Sequence, residues 1–179
     1  MMNRILEKIN SAAAGRIWES ALAETSVLKF QSEVIKSCEM NQCGMYNKTW
    51  MCPPGVGTPE VLQRKYCAFS HVYVFTAKHD IEDSFDIEGM AAARVEHRAL
   101  EDRICDALAG ENFLMLGGGG CSLCRECTYP TAPCRYPERA RPAAEACGIN
   151  VVELSQDVGI HYVNGANTVT YFSLVFFEK

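Results

Sequence analysis

Ile5, Ile9, Ala13, Ile17 and Leu22 recur at near-helical spacing in an otherwise polar stretch. That pattern predicts an amphipathic N-terminal helix over residues 1–23. Val27 to Phe30 is apolar enough for a short strand. From Cys38 to Gly57 the periodicity stops, and Asn, Gly, Pro and Cys take over. Pro53-Pro54-Gly55 rules out regular structure there, so the stretch reads as an irregular loop. Thr58 followed by Pro59 is a helix start, predicting a short helix to about Tyr66. Phe69 to Ala77 is rich in aromatic and branched residues and reads as a buried strand.

Asp86 is placed to cap the longest predicted helix, which ends at Gly110. Met90, Ala93, His97, Leu100, Ile104 and Ala107 step by three and four, giving one inward stripe. Phe113 to Leu116 reads as a short strand that delivers the chain into four glycines, Gly117 to Gly120. Beyond a cysteine-rich stretch, Pro142 to Ala146 suits one helical turn stopped by Gly148, and Val151 to Val158 a short helix. Asn164-Gly165 marks a turn before a final strand, Val169 to Phe177. Strands and helices alternate but the strands are few. The expected fold is a compact α/β or α+β sandwich with an irregular cysteine-rich loop.

The 179 residues suit one hydrophobic core, so a single domain spanning 1–179 is expected. A net charge of −5 excludes a nucleic-acid binder with a broad basic face. Ten cysteines are many, yet below the roughly 8–10% of residues typical of a disulfide scaffold. Arg4, Glu7, Lys8, Arg16 and Glu19 interrupt the first twenty residues, so no secretory signal is read there. No apolar run approaches the roughly 20 residues of a membrane span. The expectation is a cytoplasmic protein without membrane or nucleic-acid partners, whose thiols serve metal or redox chemistry.

Cys121, Cys124, Cys127 and Cys134 form C-x2-C-x2-C-x6-C directly after the glycine run. Three thiols at successive intervals of three can reach three irons of one cubane, and the fourth follows a short Pro-containing loop. The spacing parallels bacterial ferredoxin runs, with a longer last gap. Structural zinc is the rival, although zinc more often takes two separated C-x2-C or Cys/His pairs. Glycines before the cluster, Gly119 and Gly120 nearest, would let backbone N–H groups approach bridging sulfides. Arg125, Arg135, Arg139 and Arg141 crowd the same region. Arg125 and Arg135 stand closest, where they would favour the reduced cluster, steer a partner, or simply be solvated.

Cys38, Cys43 and Cys52 make a second candidate site, with Cys52-Pro53 resembling the Cys-Pro step of ferredoxins. Three thiols leave one iron of a cubane without a cysteine, open to a small ligand or to His97. Tyr46 and Trp50 would wall a pocket over it. The competing readings are buried thiols without metal, or a single thiol lent elsewhere, and for His97 an ordinary core histidine. Cys67, Cys105 and Cys147 stand alone and read as packing residues. No Ser-His-Asp context, H-E-x-x-H or Rossmann fingerprint is present.

Four stretches together carry a family resemblance: C-G-x-Y-x3-W-x-C-P-P-G-V-G at 43–57, E-D-S-F-D-I-E-G-M at 82–90, G-G-C-S-L-C-x2-C-T-Y-P-x-A-P-C-R-x-P at 119–137 and N-G-x-N-T-V-T-Y-F at 164–172. Over residues 27–177 the chain resembles the cysteine-rich "predicted metal-binding protein" family of unknown function, found mainly in anaerobic bacteria and archaea. The resemblance implies metal binding, with Cys121, Cys124, Cys127 and Cys134 as ligands. It implies no reaction.

Three functions fit these readings. The first is a redox protein carrying one [4Fe–4S] cluster, with a second at Cys38, Cys43 and Cys52, that passes electrons to a partner protein. The second is an enzyme that activates a small-molecule substrate at an open iron. The third is a structural or interaction protein built on zinc.

Overall fold

The computed structural model describes residues 2–178. Four strands form one sheet in the order β1-β2-β4-β3, from β1 (Ser20–Glu24), β2 (His71–Asp80), β3 (Phe113–Leu116) and β4 (Thr168–Phe177). Every pairing is antiparallel. The expected α/β or α+β arrangement is therefore realised as α+β, because the connections return each strand antiparallel to its neighbour.

Both faces of the sheet are covered, which is why β2 and β4 read as nearly continuous apolar runs. On one face Tyr73, Phe75, Val175 and Phe177 pack against α1 (Met2–Ala13) and α4 (Ile87–Ala107), through Ile5, Ile9, Leu100 and Ile104. On the other, Val72, Val74, Leu174 and Phe176 meet Leu62 and Tyr66 of α3 (Pro59–Tyr66) and Leu154 of α5 (Val151–Asp157). α3 begins at Pro59 and α4 after Asp86, whose carboxylate accepts the Gly89 N–H at 2.7 Å, as the sequence predicts.

The helix expected over residues 1–23 stops at Ala13. Ala14 and Gly15 have φ of +50° and +77°, which ends the helix and turns the chain into β1. Met1 lies outside the described residues. The strand expected over Val27 to Phe30 is absent; Thr25–Val27 is a 3₁₀ turn, and Phe30 makes only a lone bridge to Ile149. The stretch before the first cysteine loop forms α2 (Ser32–Glu39), so Cys38 sits in its last turn.

β3 is an edge strand, and the chain leaving it forms the second cysteine loop. Between Leu116 and Glu145 there is no helix or strand. The loop is closed at its neck, where Pro142 C=O accepts the Gly117 N–H at 2.9 Å. Long structureless loops inside compact folds are usually functional.

Candidate metal centre

The loop is anchored to the core one residue past its neck. Gly118 N–H donates to Glu101 Oε1 at 2.7 Å, and the same oxygen accepts the Ser173 hydroxyl at 2.7 Å and lies 3.3 Å from His97 Nε2. Arg141 Nε lies 3.5 Å from the other carboxylate oxygen. Burial would raise the pKa of Glu101. Its bonds with His97, Ser173 and Gly118 outweigh that and hold the carboxyl below its ordinary value. A Cβ at Gly118 would meet His97 Nε2 at 2.7 Å. The core thus demands the glycine at 118, and only Gly119 and Gly120 open the run toward the cysteines.

Cys121, Cys124, Cys127 and Cys134 all line one cavity of about 410 Å³, with Met45, Thr49 and Trp50 facing them from the first loop. Among the described residues, no three His, Cys, Asp or Glu side chains converge closely enough to hold a metal ion as they stand. The backbone around the thiols provides a test of fit. Among the described residues, none of the backbone N–H groups of 119–129 donates to a protein acceptor. In the first loop, by contrast, Asn41, Gly44, Asn47, Cys52 and Val56 all donate to backbone carbonyls. Buried backbone donors are seldom left without acceptors; these are half-buried or exposed and so stand open to water or to a bound group. A run of free donors beside four thiols suits a polynuclear iron–sulfur group, whose sulfides and thiolates accept such bonds.

The two cysteine loops are clasped together. Trp50 Nε1 donates to Ala132 C=O at 3.0 Å, its ring meets that of Tyr129 edge-on at 4.9 Å, and Tyr129 Oη donates to Asn47 Oδ1 at 3.1 Å. A Cβ on Gly55 would meet the Tyr129 ring at 2.7 Å, so that position too must be glycine. Cys43 is exposed and Cys38 half-buried, whereas Cys52 is only 8% exposed. Burial raises the pKa of Cys38, and the neighbouring charges of Cys43, Cys52 and Glu145 raise it further. Cys52 is raised first by burial; a bond with Thr49 opposes this, and Cys43, Cys121 and Cys127 add to the rise. Thiols that are buried and crowd one another ionise poorly alone, and a bound cation removes that obstacle. Cys52 thus lies within electrostatic reach of both sets of cysteines, which makes the two candidate sites neighbours.

Of the expected pocket residues, Trp50 lines the thiol cavity and Tyr46 does not. Tyr46 is half-buried, with its N–H bonded to Asn41 Oδ1. His97 is fully buried on the α4 side of the sheet, with Nε2 2.8 Å from Ser173 Oγ and its ring stacked on Tyr171. It borders a separate small cavity beside Arg16 and Glu96. Arg125 borders the thiol cavity, and Arg135 bonds Glu126 C=O at 2.8 Å within the same loop. Arg139 and Arg141 are instead drawn to Asp102 of α4.

Of the three isolated cysteines, Cys147 and Cys105 pack against the core as expected, whereas the Cys67 thiol donates to Thr25 C=O at 3.7 Å. Cys147 is buried in the core, with its thiol pushed up to about 12 by burial. Cys67 and Cys105 are half-buried. The residues that sequence reasoning passed over are Glu101 and Asn47. Glu101 follows His97 by four, so a second polar residue on the inward stripe was the available signal. Glu145, which opens the 3₁₀ turn packed on α2, was also passed over. Its side chain reaches the surface, yet the protein around the carboxyl raises its pKa.

Residues 22–177 match the family described as predicted metal-binding protein (DUF2284). The chain belongs to that family. The match covers both cysteine loops, α4 and all of the sheet except the first two residues of β1. Comparison with curated proteins and with solved structures gives no match. Among the described residues, no helix is long and apolar enough to cross a membrane.

Proposed function

We propose that this DUF2284 chain is an iron–sulfur protein that holds one [4Fe–4S] cluster through Cys121, Cys124, Cys127 and Cys134 and serves in electron transfer. The observation that carries the reading is the pairing of four thiols around one cavity with a backbone whose N–H groups have no protein acceptor. A cluster bound there supplies a one-electron couple. The chain's own part is to hold four thiolates at the cavity wall, to offer backbone donors, and to limit water with Trp50, Met45 and Tyr129. Arg125, exposed at the rim, offsets negative charge at the site.

Cys38, Cys43 and Cys52 supply a second cluster site, three thiols leaving one metal position open. The support is that Cys43 raises the pKa of both Cys38 and Cys52, and that Cys52 adjoins the first site. A reducing, cytoplasmic setting accords with ten cysteines that are all free. The second reading is an enzyme that acts on a small molecule at that open position, and the observation in its favour is the cavity described below, which adjoins the four-thiol site through Trp50, Met51 and Cys134.

Purification without oxygen, followed by iron and sulfide quantification and electron paramagnetic resonance, tests the proposal. Brown protein with about four irons and four sulfides per filled site is expected. Stoichiometric zinc, with no iron or sulfide even after reconstitution, overturns it.

A further inference from the structure

A second, larger cavity lies behind the cysteine loop. It measures about 820 Å³ and sits between the free edge of β3, the C-terminal half of α3 and residues 130–142. Trp50, Met51 and Cys134 border both this cavity and the thiol-lined one, forming a shared partition. Trp50 is fixed in that partition by its bond to Ala132 and its contact with Tyr129. The volume lies within the roughly 300–1,000 Å³ of small-molecule sites, which are largely apolar with a few polar groups.

The lining defines what such a site accepts. Its surfaces are mostly apolar and flat, with Trp50, Tyr66, Phe113, Pro133 and Pro137 among them. Its inner cation, Arg141, is already matched by Asp102 and Glu101 and bonds the Cys105 thiol at 3.4 Å. The remaining charges, Lys65 and Glu138, are both exposed and of opposite sign. The interior therefore offers no uncompensated charge, and an ionic ligand would lose hydration there without gaining a partner. We infer that this cavity is a binding site for an uncharged aromatic small molecule of about bicyclic size, held against the Trp50–Cys134 partition. Its position as a substrate or electron-partner site rests on the iron–sulfur reading; the existence of the site does not.

Calorimetric titration of the anaerobically purified protein with N-phenyl-1-naphthylamine tests the inference. One site per chain is expected. Leu114 and Val56 both line the cavity; Leu114→Trp and, separately, Val56→Phe fill it, and each should weaken binding at least about tenfold, while iron and sulfide content and melting temperature stay near wild type. The sulfonated analogue, 8-anilinonaphthalene-1-sulfonate, should bind at least about tenfold more weakly than the uncharged probe, since a charge is poorly tolerated inside. Binding should also shift the paramagnetic resonance spectrum of a cluster ligated by Cys134. No binding, unchanged affinity in both filled variants, or tighter binding of the sulfonate overturns the site. Binding with the expected variant effects but no spectral shift overturns its coupling to the cluster alone. Absence of iron with intact probe binding overturns the cluster reading and leaves the site standing.

Discussion

Glu101 Oε1 accepts the Gly118 N–H at 2.7 Å, so a carboxylate on α4 holds the root of the cysteine loop three residues before its first thiol. The carboxylate is nearly inaccessible and is shared by Ser173, His97 and Arg141. Removing one partner from a buried charged network costs about 3–5 kcal/mol, far more than a surface pair. Position and energy therefore coincide at this residue.

Glu101→Gln should lower stability at neutral pH by about 3 kcal/mol, as expected for breaking a buried pair. The pH dependence has a definite sign. The folded-state pKa of Glu101 lies below its ordinary value of 4.5, so its contribution is present above pH 4.5 and is lost as pH falls through the folded value. Denaturant melts of the wild type should show that loss on the acid side, and the variant should lack this component. An identical acid limb in both proteins would contradict the assignment.

The clasp between the two loops is tested at Trp50 and Tyr129. Tyr129→Phe removes the bond to Asn47 and should cost about 1 kcal/mol or less, since the bond is exposed. Trp50→Ala removes the bond to Ala132, the contact with Tyr129 and part of the cavity wall. It should speed metal loss to a chelator several-fold over wild type, with Tyr129→Phe in between. Equal loss rates for all three proteins would show that the clasp does not retain metal.

Limited proteolysis separates the two loops. Residues 119–129 make no backbone N–H bond to protein among the described residues, whereas the 41–57 loop makes its own. Much of the order in the second loop must then come from ligation. Metal removal should expose 117–137 to protease while β2 and β4 stay protected and the first loop is cut more slowly. The same cleavage pattern with and without metal would refute this.

Much of this was legible in the chain where the signals are local. Thr58-Pro59, the Asp86 cap and the Phe113–Leu116 strand each depend on neighbouring residues, and each stands where expected. β1 was not legible, because Leu22 continues the apolar spacing of α1 and only the left-handed turn at Ala14 and Gly15 breaks it. α2 buries none of its residues, so it leaves little apolar pattern to read. At the candidate site the cysteines announce themselves by spacing. The Glu101 network does not, since its partners Gly118, Arg141 and Ser173 lie 17 or more positions away and meet only in the folded chain.

The Cys43→Ser/Cys52→Ser double variant decides what the first loop contributes. Loss of about half the iron and sulfide is expected if it holds a second cubane. Full wild-type content would show that the loop holds no cluster. Because Cys52 is within reach of Cys121 and Cys127, loss of all the metal would show that it belongs to the first site instead.

X-ray absorption of the anaerobically purified protein at the iron and zinc edges bears most directly on the identity of the centre. The proposed site predicts an iron edge, sulfur neighbours and a second shell of iron–iron scattering, with Cys124→Ser/Cys127→Ser losing that shell. A zinc edge with four sulfurs at about 2.3 Å and no iron would contradict it.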